Sequence, residues 1–520
     1  MEIPQCSSFS PCFLNRENVL TEERKNPSTG ELMIQGDVIV IGTGFSGCVA
    51  AITAGRAGHR VILLEKAPHP GGISICSGGG LRVADDAGEA FRYLKATNAG
   101  KTPDDVLLTL AEGMAELEER VRRWGNRFGA VFERRNSQGN YPFPGFRTFS
   151  FVAVEEIPGV DPDTLFPHMK GGPQSKLLYW MLSKELEELG IAPYFNCEAS
   201  SLIMENGAIC GVRSADGREF RAPKVILACG GFEASPAMQD QYWPGGAVYS
   251  AAYRYNTGDG IRMALSVGAD LWHMWHYHGT YGFAPPEEGY PYGVRIKRLP
   301  DWTPGMDRSR CPKMAWILLD RSGRRFFNEY EPYSQDTSVR SLELFSPETQ
   351  DYPRRPCWLV TDARGLAMYP LGKPLYNDAS VSLDWSHDNS LEVEKGWIQR
   401  ADTLAELAER IGLPADAVER SVARWNTLCE QGNDKDFNRP PTSLHPLLEG
   451  PFYAAPMYPI ISNTQGGPRR DSRQRVLTPQ GQPIPGLYAV GECGSSFGHL
   501  HISGGNVSEC FISGRIAALD

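Results

Sequence analysis

The feature that most constrains this chain is Asp37-Val-Ile-Val-Ile-Gly-Thr-Gly-Phe-Ser-Gly, an apolar run that breaks into Gly42, Gly44 and Gly47 before an alanine-rich stretch reaching Ala57. The pattern is strand, tight turn, helix. Gly42 permits the turn, Gly44 lets backbone approach a pyrophosphate, and Gly47 lets the helix pack on the strand, with Phe45 and Ser46 between them at the phosphate end. The next strand, Arg60-Val-Ile-Leu-Leu, ends at Glu65 and Lys66. An acid at that point accepts hydrogen bonds from ribose hydroxyls and disfavours a 2′-phosphate. Order and spacing together predict a dinucleotide site on an α/β sheet.

A second flexible loop, Pro70-Gly-Gly-Ile-Ser-Ile-Cys-Ser-Gly-Gly-Gly80, follows at once and is able to wrap a longer cofactor. Here the chain resembles the flavoprotein family of fumarate reductases, succinate dehydrogenases and 3-ketosteroid dehydrogenases, over most of residues 34–519. The matching pieces are Gly71-Gly72-Ile73-Ser74 with Gly79, Ala228-Cys-Gly230-Gly-Phe232, Thr257-Gly-Asp259-Gly260, Gly323-Arg-Arg-Phe-Phe-Asn-Glu329 and Gly432-Asn-Asp-Lys-Asp-Phe437. Over four hundred residues after the first strand, Tyr488-Ala-Val-Gly491-Glu492 and Gly504-Gly505-Asn506-Val507 complete the set.

The resemblance implies FAD as cofactor. Glu492 would meet the ribityl hydroxyls, and the helix opened by Gly505-Asn506 would turn its positive end toward negative charge on the reduced ring or a substrate oxygen. Members of membrane complexes carry a flavin-linked histidine after the double glycine; Ile73 to Gly80 contain none, which implies noncovalent FAD. The implied fold is a Rossmann-like α/β FAD-binding domain of the glutathione-reductase type with an inserted α+β cap. The expected divisions are an arm over 1–33, the FAD domain over 34–272, a substrate cap over 273–444, and a return to the FAD domain over 445–520.

Periodicity predicts helices over 103–124, 175–189, 403–411 and 415–429, and hairpin turns at Asn206-Gly207 and Asp216-Gly217. No apolar run approaches the roughly 20 residues that span a bilayer, and the N-terminus lacks the basic start and apolar core of a signal peptide, so the expected location is cytoplasmic. A formal charge of −10 disfavours a nucleic-acid partner. Twelve scattered cysteines without a CxxC pair point to free thiols. No metal site is expected: His273, His276 and His278 have no nearby carboxylate or cysteine ligand.

Within the family, fumarate-reductase-type members hold two carboxylates with a His-Thr-Met-Gly-Gly histidine, an arginine before the final double glycine, and an arginine after the Asn-Glu motif. This chain has Asn463-Thr-Gln-Gly-Gly467, Ile502-Ser-Gly-Gly505 and Asn328-Glu-Tyr-Glu-Pro-Tyr333-Ser-Gln-Asp336, so none of the three cations is kept. A dicarboxylate would be buried without countercharge, at a cost of several kcal/mol. Asn328-Glu-x-x-Pro-Tyr333 instead resembles the segment of 3-ketosteroid Δ1-dehydrogenases whose tyrosine removes a proton alpha to a ketone, which makes Tyr333 the candidate base.

In those enzymes a Gly-His-Thr-Tyr-Pro-Gly-Ala-Gly segment polarises the ketone; Gly498-His-Leu-His501-Ile-Ser-Gly-Gly505 stands in its place. His501 and the Gly505 N–H would hold the enolate oxygen, with His499 as a competing choice. His278, Tyr281, Asn463 and His499 are the expected substrate-lining residues. The expected activity is desaturation of a small neutral cyclic ketone, steroid or oxocyclohexane in type. The alternatives are reduction of an enone or enoate, and a flavin subunit that only relays electrons. No motif names the electron acceptor or the oligomeric state.

Overall fold

The computed structural model describes residues 22–25, 32–246, 248–296, 313–314, 316–330 and 339–520. Its central sheet runs in the order Arg475–Leu477, Pro483–Ala489, Lys224–Leu227, Val38–Ile41, Val61–Leu64. The last four strands are parallel, and the first pairs antiparallel with the second. Val38–Ile41 and Val61–Leu64 are buried throughout, the continuous Val/Ile/Leu signature of a parallel strand covered on both faces. The helix Phe45–Arg56 packs against the C-terminal helix Gly505–Leu519. A side chain at Gly514 would collide with the Ser46 carbonyl at 2.5 Å, so glycine sets this close approach.

A second sheet orders Glu22–Lys25, Leu32–Gln35, Glu219–Arg221, Ala208–Ser214 and Ala199–Glu205. The hairpin of Ala199–Glu205 and Ala208–Ser214, at one edge of this sheet, turns through Asn206 and Gly207, both at positive φ, as the sequence predicts. The expected arm therefore contributes a strand: residues 22–25 pair with 32–35 at the sheet edge. A third sheet, Leu81–Ala84, Phe149–Glu156 and Val131–Asn136, flanks the cleft described below. The expected helices lie at Asp104–Gly125, Pro173–Glu188, Leu404–Ile411 and Ala415–Glu430, within two residues of their predicted ends.

The cap is built on a second large sheet, ordered Ile317–Leu319, Cys357–Asp362, Phe452–Thr464, Tyr277–Phe283, Val294–Ile296, Gly372–Lys373. Its spine is the 13-residue strand Phe452–Thr464, which also pairs with Tyr249–Ser250 and Gln399–Ala401. The expected return at 445 falls just before this strand, which stays paired in the sheet as far as Thr464. Ala454, Ala455 and Met457 pack in the cap clusters, whereas Ile460 joins the core around Val38 and Phe45 and Ile461 the one around Phe232 and Trp243. Among the described residues no helix is long and apolar enough to cross a membrane, and the cysteines are free thiols.

Candidate active site

A cleft of about 660 Å³ collects residues from both ends of the chain and from the cap. At one end the glycine turn is shaped by close packing. Gly42 has φ +107°, and a Cβ there would lie 2.4 Å from the Ala228 carbonyl; one on Gly47 would lie 1.9 Å from the Gly42 carbonyl. Gly44 differs, because a Cβ there would stand 3.0 Å from the Ser74 hydroxyl, in the cleft itself. Ser74 Oγ accepts from the Phe45 N–H at 3.2 Å, tying the two phosphate-side loops together.

Glu65 is buried at the end of its strand, where Oε2 accepts from the Thr43 N–H (2.9 Å) and hydroxyl (2.6 Å) and Oε1 from the Ala67 N–H. Burial raises its pKa and these donors oppose the rise. Lys66 pairs with Asp259 and donates to Thr257 Oγ1 at 2.7 Å, binding two of the sequence motifs to each other at the cleft wall. Gly72, Ile73, Ser46, Ala228 and Gly230 also line the cleft. Gly47, Gly71, Gly79 and Gly491 stand behind its wall; at Gly79 and Gly491, both at positive φ, a Cβ would collide with the Ser175 nitrogen and the Ser46 side chain.

Deeper in, the Glu492 Oε1 accepts from the Thr464 N–H at 2.8 Å, and burial raises its pKa to about 7. Asn506 and Val507 line the cleft in the first turn of the C-terminal helix, whose leading N–H groups lack intrahelical partners. The Gly505 N–H is different. It donates to the Ile502 carbonyl at 2.8 Å and Gly505 does not line the cleft, which corrects its expected part as the second donor to a ketone oxygen. Gly504, at φ +75°, turns the chain into the helix and occupies that wall instead.

On the cap side, His278, Asn463 and His501 meet in the cleft. The His278 and His501 rings are 4.0 Å apart, and Phe497 meets His501 edge-on at 5.0 Å. Asn463 Nδ2 donates to the Thr464 carbonyl (3.2 Å) and to Asn506 Oδ1 (3.1 Å), so its Oδ1 faces His278 Nδ1 at 3.2 Å. That nitrogen must then carry the proton. Asn506 is fixed in turn by Gln465, Ser495 and Glu509, and Glu509 by the fully buried Arg470 at 2.6 Å.

Two expected lining residues sit elsewhere. Tyr281 lies in the cap core, where a buried phenol needs polar partners: its hydroxyl donates to the Glu329 carbonyl and accepts from Trp316 Nε1. His499 packs near Trp275 outside the cleft, its carbonyl taken by Arg340. His273 and His276 hold the loop 495–497 by its carbonyls. Tyr333 lies outside the described residues. Sequence reasoning missed Glu233 and Asn256 beside Glu492, and Arg295 and Lys373 on the cap wall. Each adjoins or lies between recognised motifs and has no periodicity of its own to reveal it. Among the described residues no cluster of His, Cys, Asp or Glu is arranged to hold a metal.

A glycine cradle beside a buried strand-end acid, closed by a returning strand and roofed by a cap, fits an extended dinucleotide and defines a flavin-dependent oxidoreductase. The chain belongs to the FAD-binding-domain family, whose model matches residues 37–507, and its cofactor is FAD. It is 28% identical to the 3-oxosteroid 1-dehydrogenase of Mycolicibacterium smegmatis, over 93% of this chain and 96% of that one. It is 27% identical to the 4-oxocyclohexanecarboxylate 2-dehydrogenase of Sinomonas cyclohexanicum, over 88% of each. In fold it matches the 3-ketosteroid Δ1-dehydrogenase of Sterolibacterium denitrificans, with a TM-score of 0.75 at 22% identity over 93% of this chain and 99% of that one.

Proposed function

We propose that the protein introduces a carbon–carbon double bond beside the carbonyl of a cyclic ketone. The observation that carries this reading is the imidazole pair His278–His501 in the cleft before the C-terminal helix, beside Asn463, where fumarate-reductase-type relatives carry a histidine. The names of the two curated relatives, both dehydrogenases of cyclic ketones, support it.

An α C–H bond is too weak an acid for a side-chain base unless the ketone oxygen is stabilised as charge develops on it. His501 is the group we assign to that oxygen, donating a ring N–H. The His278 tautomer, set by Asn463, and the ring contact at 4.0 Å hold His501 in place. The partial positive charge at the start of Gly505–Leu519 favours the same oxygen. Tyr333 is the proposed base for the α proton. A phenol with an ordinary pKa near 10 serves only when a neighbouring donor stabilises its phenolate. Bound FAD supplies the acceptor for the hydride that leaves the β carbon. FAD is held noncovalently in this proposal.

Arg295 and Lys373, cross-strand neighbours, line the same cleft. The name of the Sinomonas relative supports oxocyclohexanecarboxylates beside steroids among the candidate substrates.

The test is flavin absorbance without air while steroid ketones, cyclohexanones and 4-oxocyclohexanecarboxylate are added. Bleaching by a saturated ketone is expected, slowed by about 10²–10⁴-fold in Tyr333→Phe, the usual worth of a general base. Reoxidation of the reduced protein by enones or enoates, with no bleaching by any ketone, would make it a reductase. Silence in both directions would leave a relay.

A further inference from the structure

Glu233 follows the Ala228-Cys-Gly-Gly-Phe232 motif and is fully buried, with no part in the chemistry above. Its carboxyl converges with that of Glu492 on the space left by Gly231. A Cβ on that glycine would stand 2.6 Å from Glu492 Oε1 and 3.1 Å from Glu233 Oε2. Asn256 Nδ2 reaches both acids, at 2.6 Å to Glu233 Oε1 and 3.4 Å to Glu492 Oε2. Among the described residues neither carboxyl has a cation partner. Around the pair, Glu509 is already matched by Arg470, Thr464 is neutral, and Cys493 and Cys510 are thiols.

Two carboxylates cannot both be ionised in such a space without a countercharge. One atom shows where the proton belongs: Glu233 Oε2 is buried and has no hydrogen-bond donor in reach, while Glu492 already accepts from Thr464. We propose that Glu233 is a buried carboxylic acid that keeps its proton at neutral pH and donates it to Glu492, making it a positioning residue for the cofactor. Glu492, which lines the cleft, is then the member of the pair that ionises first and, above about pH 7, is oriented to accept from hydroxyls of the bound dinucleotide. Burial first, and the neighbouring Glu492 second, push the Glu233 carboxyl well above the usual range, in agreement with this assignment. The inference rests on FAD binding and is independent of the substrate.

The measurement is FAD affinity of the flavin-stripped chain, by fluorescence quenching from pH 7.5 to 9.5, with infrared difference spectra of the same samples. Glu233→Gln keeps a donor and should bind FAD within about threefold of wild type at pH 7.5. Glu233→Leu removes the donor and should weaken binding by about ten- to a hundredfold, the range for a lost hydrogen bond to a charged group. Wild-type affinity should fall as pH rises and the shared proton is lost, whereas Glu233→Gln should stay flat. A protonated-carboxyl band present in wild type at pH 7.5 should vanish in Glu233→Gln. Should Glu233→Leu fail to fold, the band and the two pH profiles decide. Absence of the band from wild type, its survival in Glu233→Gln, or identical pH profiles would overturn the assignment.

Discussion

His501 and Asn463 differ in how they reach the proposed reaction. His501 is assigned direct contact with a developing oxyanion, whereas Asn463 acts through His278 by fixing which ring nitrogen holds hydrogen. His501→Ala should therefore lower kcat by about 10²–10³-fold, the usual loss of one oxyanion donor, with the FAD spectrum unchanged. Asn463→Leu should cost less, roughly tenfold, and alter the pH dependence of kcat by releasing the tautomer. Rapid anaerobic reduction kinetics of the two variants separate these outcomes; equal losses would show that both residues merely shape the pocket. Cleft-lining was legible in the sequence for His278, Asn463 and His501, because each sits in or beside a recognisable motif. The burial of Tyr281 was not, since its partners Trp316 and Glu329 come from 35 and 48 residues away.

The first glycine turn and its helix show how one element divides its duties between folding and binding. Gly47 is a packing glycine: a Cβ there meets backbone at 1.9 Å, and backbone cannot step aside as a side chain does. Gly47→Ala should cost about 1–3 kcal/mol of stability, lowering Tm by several degrees, and FAD affinity with it. Gly44→Ala meets only the Ser74 hydroxyl at 3.0 Å and should leave the thermal stability of the flavin-stripped chain within about 0.5 kcal/mol of wild type. It should still weaken FAD binding, because the methyl occupies the space a phosphate needs. Calorimetry of the stripped chain and FAD titration measure the two effects apart. At this scale the sequence was most informative: strand-turn-helix order, the Asn206-Gly207 hairpin and four helices follow from local patterns. It was least informative for Phe452–Thr464, whose membership in the cap sheet depends on partners that lie more than fifty residues away in sequence.

Across the whole molecule, buried acids are handled in two opposite ways, and their balance governs how stability depends on pH. In the cap, the two motifs Gly323–Glu329 and Gly432–Phe437, which helped to carry the family resemblance, meet as architecture. Arg325 lies between Glu329 (2.8 Å) and Asp434 (3.0 Å), all three buried or nearly so. Burial opposes ionisation of both acids, but the arginine charge outweighs it and holds them below the ordinary carboxylate range. Their contribution is present above about pH 4 and is lost as pH falls through their folded-state values. Glu233 and Glu492 go the other way. Burial raises both, Glu492 to about 7, so the folded chain binds protons that the unfolded chain releases near pH 4.3. Their contribution is complete below that pH and declines as pH rises toward and past 7, by up to about 1.4 kcal/mol per pH unit for each proton retained. Relative to a chain lacking Glu233, the flavin-stripped protein should therefore lose stability as pH rises from about 5 to 8. Glu233→Gln should make that alkaline limb shallower, since the buried Glu492 and Glu65 remain, and leave the acid contribution of the cap pair unchanged. Differential scanning calorimetry of both proteins from pH 3.5 to 9 tests this, and a wild-type alkaline limb no steeper than that of the variant would mean that the pair does not hold the proton assigned to it.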